Sequence, residues 1–283
     1  MIICFTTDLH GRVNLYEQAD ELARRSGADV LILGGDMLPD GEMSNPGPAQ
    51  TGFVRGWFAE WVRRLSRKLP GCRVATIFGN HDWLCALEAM DRLDAEGLLT
   101  VLRPDRPAEF GGWKVLGFSL SPPSPFFTKD LERLDRPGDS PPVAGGGRWD
   151  PATQSVVPAL APDHFTSGPT IQEELANVIP VNGQWILVSH APPFDSGLDL
   201  LITGESVGSR AVREFIEQRR PAISLHGHLH DSPYRSGRFY EQIGETISIN
   251  PGQGAARLAA VTFDPDDVIG TIQGHGIRLP SSD

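Results

Sequence analysis

Short apolar runs alternate with amphipathic patterns along the first half of the chain. The runs are mostly apolar, four or five residues long, and typical of strands buried on both faces; they occur at residues 2–5, 30–33 and 74–78. Helical spacing of apolar residues predicts helices at residues 14–26, 53–65 and 84–93, the second preceded by a Pro/Gly-rich loop. This order predicts βαβ units at the start of the fold.

Capping signals mark both ends of the first predicted helix. Asn14 is expected to be its N-cap, with Glu17 three residues later as the capping-box partner. Arg24 and Arg25 suit the negative end of the helix dipole, and Gly27 is expected to end the helix.

The second half of the chain is richer in strand patterns. They occur at residues 114–118, 185–189, 222–225, 246–249, 258–263 and 268–272, with one helical pattern near 207–218. Together, the two halves predict an α/β fold in which two sheets pack as a sandwich with helices outside. We expect one domain over residues 1–283.

Residues 119–168 do not follow this order, because prolines are frequent and three glycines occur at 145–147. Long loops without regular structure are uncommon and are usually functional or disordered. We interpret the segment as an insertion near the site, and we expect part of it to form a rim that sets substrate choice. Most of its aromatic residues are predicted to be packing anchors; they are Phe126, Phe127, Trp149 and Phe165.

The composition limits the kinds of molecule that the protein is expected to bind. The formal charge is −11, which argues against long DNA or RNA because binding to these is driven by basic groups. A small phosphorylated substrate is compatible with this charge if metal ions supply positive charge at the site. No signal-peptide pattern and no apolar run of membrane length occur, so we expect a cytoplasmic protein without a membrane partner. The oligomeric state stays open.

Polar residues with metal-binding side chains follow the predicted strands. The carboxyl ends of strands in open α/β sheets are where sites form, so these residues are expected to converge. They are Asp8, His10, Asp36, Asn80, His81, His190, His228 and His230.

Carboxylate, imidazole and amide groups are ligands for Mn, Fe, Zn or similar divalent ions. The supply fits two ions better than one closed tetrahedral zinc site. Two such ions lower the pKa of a bound water, so that a metal-bound hydroxide can attack, and they clamp a phosphoryl group. Asp36 is placed to bridge them, and His81 is placed to stabilise or protonate the leaving oxygen. Arg12 is either a contact to the substrate phosphate or a solvated charge at a helix start.

Five motifs occur in a recognisable order: Asp8-Leu9-His10, Gly35-Asp36, Gly79-Asn80-His81-Asp82, Ser189-His190-Ala191-Pro192-Pro193 and Gly227-His228-Leu229-His230. This order resembles the calcineurin-like metallophosphoesterase superfamily, and the sequence is most similar to its Icc-related predicted phosphoesterases. The resemblance implies a four-layer αββα fold and a catalytic imidazole at His81. It also implies two metal sites, with these ligands: Asp8, His10, Asp36 and His230 for one ion, and Asp36, Asn80, His190 and His228 for the other.

One position departs from the family pattern. The family often reads Gly-Asp-x-x-Asp, and its second Asp can orient the catalytic histidine. Pro39 occupies that position here, and Asp40 follows. Either Asp40 takes the role through a shifted loop, or the orienting carboxylate is absent.

The function that these residues imply is a metal-dependent phosphoric ester hydrolase acting on a small molecule. Resemblance alone slightly favours a phosphodiesterase over a phosphomonoesterase, with Asn80 and His81 contacting the substrate. The alternatives are a nuclease, which should carry a basic track beside the site, and a non-catalytic metal-binding scaffold of the same fold. A full ligand set with the catalytic histidine argues against the scaffold.

Overall fold

Two six-stranded sheets, a two-stranded hairpin and nine helices make up the part of the chain described by the computed structural model, residues 1–40 and 46–280. The loop predicted before the second helix includes residues 41–45, which lie outside the described residues. The strands are β1 (Ile3–Thr6), β2 (Val30–Leu33), β3 (Arg73–Thr76), β4 (Thr100–Val101), β5 (Ala108–Phe110), β6 (Trp113–Phe118), β7 (Gly146–Asp150), β8 (Ser155–Ala159), β9 (Trp185–Ser189), β10 (Ile223–Leu225), β11 (Tyr240–Ile243), β12 (Thr246–Ile249), β13 (Ala260–Phe263) and β14 (Gln273–His275). The helices are α1 (Val13–Ser26), α2 (Pro46–Phe53), α3 (Ala59–Lys68), α4 (Leu87–Ala95), α5 (Asp163–Thr166), α6 (Ile171–Ala176), α7 (Arg210–Arg219), α8 (Ser232–Ser236) and α9 (Val268–Thr271), with a π-helical turn at Val54–Phe58 and a 3₁₀ turn at Leu84–Ala86.

Each of the two large sheets has six strands and a parallel centre. The first has the order β14-β13-β1-β2-β3-β4, and the second has the order β11-β12-β10-β9-β6-β5. Strands β1 to β4 pair in parallel, as do β12, β10, β9 and β6, whereas the other neighbours pair antiparallel. The carboxyl ends of the parallel strands therefore point to one edge of each sheet.

Three buried apolar layers hold the sheets and helices together. Phe5 and Ile32 of the first sheet pack with Val188 and Leu225 of the second, which forms the layer between the sheets. Helices α1, α3 and α4 cover the outer face of the first sheet, and α6 and α7 cover that of the second. Strands between two apolar layers are buried on both faces, which is why they read as continuous apolar runs. This arrangement confirms the predicted two-sheet sandwich flanked by helices.

The predicted N-cap of the first helix is wrong by two residues. Helix α1 begins at Val13, its N-cap is the extended Arg12, and no side chain caps it. The Asn14 amide instead donates a hydrogen bond of 3.2 Å to the carbonyl of Ala256, far away in the chain. The capping box with Glu17 is therefore absent, whereas the left-handed Gly27 ends the helix as predicted.

The strand predicted at residues 268–272 is also wrong. Val268–Thr271 is a short helix, because the Asp267 carboxylate accepts a hydrogen bond from the Gly270 amide at 3.0 Å and so caps a helical turn. The strand follows at Gln273–His275 instead. The described helices are each too short or too polar to cross a membrane.

The Pro/Gly-rich segment 119–168 contains regular structure. Strands β7 and β8 form an antiparallel hairpin, with the second and third of its three glycines in β7, and the short α5 follows. Phe165 is buried as an anchor, whereas Phe126 and Phe127 are exposed by 48% and 42% and so are not buried anchors. That residues 1–283 form a single domain with this insertion stays a prediction.

Candidate metal centre

The loops after β1, β2, β3, β9 and β10 meet at one edge of the sandwich. The contacts that join the sheets there include two to backbone groups: His190 Nδ1 lies 2.9 Å from the Gly34 carbonyl, and the His228 backbone N–H donates to the Asp8 carboxylate at 3.1 Å. The predicted site residues all lie in this region: Asp8, His10, Arg12, Asp36, Asn80, His81, His190, His228 and His230.

One group of possible ligand atoms comes from Asp8, His10 and His230, and these atoms lie within 4.8 Å of one another. His10 Nε2 and His230 Nε2 are 3.4 Å apart, and His230 Nε2 is 3.3 Å from Asp8 Oδ1. Two imidazole nitrogens that face each other this closely need a proton or a cation to share. These residues fit a divalent cation.

A second group comes from Asp36, His190 and His228, again within 4.8 Å. Asn80 Oδ1 completes it, 2.8 Å from His228 Nδ1 and 3.2 Å from His190 Nε2. Asp36 Oδ2 is 3.4 Å from His190 Nε2 and 4.0 Å from His10 Nε2. Asp36 therefore lies between the two groups, which is the position that a bridging carboxylate would take.

The backbone at the centre adopts conformations that L-residues rarely use. Asp8, His10, Asp36 and His228 have φ angles between 46° and 68°. Left-handed backbone in residues other than glycine costs free energy and clusters at functional sites. A side chain at Gly79 is excluded by space, because a Cβ there would lie 2.3 Å from Asp36 Oδ1.

Two buried polar residues hold the loops in place. The Asp82 carboxylate accepts hydrogen bonds from the amides of Leu38 and Gly79, both at 2.9 Å, and so joins the loops after β2 and β3. The side-chain amide of Asn250 donates to the backbone carbonyls of Gly227 and Leu229 at 3.3 Å, which braces the turn that carries His228 and His230. The side chains at the centre are thus oriented by the fold itself.

Electrostatics at the centre favour cations. Burial lowers the pKa of His10 and of His190, but nearby carboxylates outweigh it and raise both to about 9. For His10 the strongest of these partners is Asp40, and for His190 it is Asp36. Burial opposes ionisation of Asp36, yet its histidine neighbours hold its pKa well below the usual range. Protons thus occupy positions where metal ions would bind.

Asp40 contacts the predicted catalytic histidine. Its Oδ1 lies 3.0 Å from His81 Nδ1 and 3.1 Å from His10 Nδ1. Burial lowers the pKa of His81, but the hydrogen bond to Asp40 and the charges of Asp36 and Asp40 together outweigh it and raise this pKa. With Pro39 at the position of the family's second Asp, either Asp40 orients the histidine through a shifted loop or the orienting carboxylate is absent. The contact agrees with the first alternative. The contact leaves His81 Nε2 as the ring atom available to a substrate.

His81 lines a cavity, and the remaining predicted substrate contact, Arg12, lines it too. The Arg12 Nη1 donates a hydrogen bond to the Gly254 carbonyl at 3.4 Å. Sequence reasoning missed two residues of the insertion. Glu132 is buried and accepts a hydrogen bond of 3.5 Å from the Asn80 amide, which turns Asn80 Oδ1 toward the histidines. Phe126 packs against the His81 ring, with ring centroids 4.5 Å apart. No local motif marks either residue.

The fold and these strand-end residues define an α/β protein with a ligand-rich centre between two sheets. The chain belongs to the calcineurin-like phosphoesterase family, whose model matches residues 1–232. Divalent metal ions are implied by this family, and the two groups of ligand atoms fit them.

Similarity to individual proteins is more distant. A segment of 99 residues is 34% identical to the uncharacterized protein MJ1162 of Methanocaldococcus jannaschii and spans 34% of this chain and 43% of that protein. The crystal structure of TT1561 of Thermus thermophilus has a TM-score of 0.58 at 17% identity, covering 98% of this chain and 99% of that one. Another crystal structure has a TM-score of 0.60 at 16% identity, covering 98% of both chains. These two structures support the fold alone.

Proposed function

We propose that this protein hydrolyses a small-molecule phosphate ester with two divalent metal ions, and that a diester is slightly favoured over a monoester as its substrate. The observation that carries the proposal is the convergence of seven possible ligands at one edge of the sandwich, where four of them line one cavity together with the His81 imidazole. We propose these ligand sets: Asp8, His10, Asp36 and His230 for one ion, and Asp36, Asn80, His190 and His228 for the other. When bound, the ions would neutralise phosphate oxygens and lower the pKa of a bound water.

His81 acts as the general acid in this proposal. Its raised pKa favours the protonated form of the ring, and Asp40 fixes that ring through Nδ1. Nε2 then donates its proton to the leaving ester oxygen, while Nδ1–H stays hydrogen-bonded to Asp40. Arg12, at the rim, and Asn80 contact the phosphate.

The net charge of −11 supports a small substrate over a long nucleic acid. Free thiols at Cys4, Cys72 and Cys85 are compatible with the cytoplasmic location that we also propose.

The test is metal-reconstituted hydrolysis of an aryl phosphodiester and of the matching monoester, with Mn²⁺ first and chelated protein as the blank. His81→Ala is expected to lower kcat by about 10²-fold or more, because general acid catalysis contributes that much. His275→Ala is the matched control, since His275 bonds Thr262 away from the cavity. Binding of two ions without hydrolysis of either ester would favour the non-catalytic scaffold.

A further inference from the structure

The cavity that contains His81 continues into an apolar wall. It has a volume of about 530 Å³, within the range of small-molecule sites. Its base carries the candidate metal ligands, and its sides come from residues 122–126 of the insertion and from 200–207, after β9.

Exposed apolar side chains are concentrated at this wall. In the described part of the chain, eleven large apolar residues are exposed, and four of them line this one cavity. These four are Phe126, Leu201, Ile202 and Val207, exposed by 48%, 38%, 54% and 37%. Single exposed apolar residues are ordinary, but a cluster beside a site indicates a binding surface.

Both sides of the wall are held in place before any substrate binds. On the insertion side, the buried Lys129 and Glu132 fix the segment through Ser124: the ammonium donates to its carbonyl at 2.8 Å, and the carboxylate accepts from its amide at 3.0 Å. On the other side, Asp199 accepts hydrogen bonds from the amides of Ser196 and Gly208 at 3.1 and 3.0 Å. A preorganised surface loses little entropy when it binds.

The charge distribution excludes a polyanionic occupant. Apart from the histidines at the base, Arg12 is the one basic side chain among the described residues that line the cavity, and Asp231 adds an acidic group. Further phosphates of a polynucleotide would lie against prolines and leucines, with no cation to compensate them. Because the wall is continuous with the site of phosphate chemistry, its occupant is the organic part of the substrate.

We propose that the substrate is a phosphate ester that carries an apolar, hydrocarbon-like group, which packs between Phe126 and the Leu201–Ile202 side while the phosphate lies over the candidate metal centre. The inference rests on the proposed function for its chemistry. Phe126, which also touches the His81 ring, couples the apolar group to the position of the acid.

The test compares methyl p-nitrophenyl phosphate with hexyl p-nitrophenyl phosphate on the Mn²⁺-loaded full chain. Both release the same p-nitrophenolate, so the difference in kcat/KM reports on the retained alkyl group. The hexyl ester is expected to be preferred by at least about tenfold, since single methylenes in apolar sites already discriminate by that much. Leu201→Ser/Ile202→Ser is expected to lower this ratio by at least about threefold.

Ile269→Ser is the matched control, because Ile269 is 58% exposed and lies outside the cavity; it should keep the wild-type ratio. Equal kcat/KM for the two esters, or an unchanged ratio in the double variant, would refute the proposal of an apolar substrate group. Neither result would contradict the proposed phosphoesterase activity.

Binding of hexylphosphonate and methylphosphonate to the metal-loaded wild type gives a readout that needs no turnover. Tighter binding of hexylphosphonate supports a binding site for an apolar group even if neither ester is hydrolysed. Absence of hydrolysis would count against the proposed function alone. Equal binding of the two phosphonates would overturn the inference.

Discussion

Lys129 and Glu132 form an ion pair that is buried beside the candidate centre. Nζ and Oε2 are 2.7 Å apart, and the side chains are 1% and 0% exposed. Glu132 also accepts from the Asn80 amide, and both partners hold Ser124. The pair therefore connects the apolar wall to a proposed metal ligand.

Lys129→Met is expected to destabilise the protein by about 3–5 kcal/mol, because removing one partner leaves a buried carboxylate uncompensated. Burial already raises the pKa of Glu132, although Lys129 opposes this. A carboxyl whose pKa is raised by folding costs no stability while it is protonated in both states, and it costs stability as pH rises above its unfolded pKa. The loss of stability should therefore be larger at neutral pH than in mild acid.

Urea unfolding of chelator-treated protein measures the effect. Glu88→Gln is the control, because it breaks the exposed Glu88–Arg92 pair and should not move the midpoint measurably. The double variant Lys129→Met/Glu132→Gln should recover part of the lost stability, since no unpaired charge remains. A Lys129→Met protein as stable as the control would refute the reasoning.

Three further predictions concern protons. Binding of Mn²⁺ near neutral pH should release about two protons, because His10 and His190 have pKa values of about 9 in the metal-free protein. A binding enthalpy that does not depend on the ionisation enthalpy of the buffer, measured by calorimetry, would contradict this. Burial lowers the pKa of His226 from 6.5 to about 4. This shift is worth about 3 kcal/mol of folding stability, which is present above pH 6.5 and lost as pH falls to about 4. The metal-free His226→Gln variant should lack this loss of stability in acid, and stability curves parallel to those of the wild type would argue against it. Asp40→Asn removes the partner that raises the pKa of His81, so the alkaline loss of kcat should move to lower pH, and an unmoved limb would count against the acid role.

The sequence alone determined the layers of the fold and the positions of the candidate ligands. Apolar runs of strand length identify segments buried on both faces, and parallel strands bring their carboxyl ends to one edge. Polar residues just after such runs, such as Asp8 and His228, are therefore expected to meet. These inferences use short-range patterns, which the printed sequence contains in full.

Only the tertiary structure decided which partners these residues contact. Asn14 bonds Ala256 rather than capping its own helix, because the folded chain offers it a carbonyl that no local pattern reveals. The Asp40 contact to His81 and the Glu132 contact to Asn80 depend on how loops far apart in sequence approach one another. The apolar wall likewise joins two segments about eighty residues apart in the chain, and they reach the same cavity because they follow β6 and β9, which pair side by side in the second sheet.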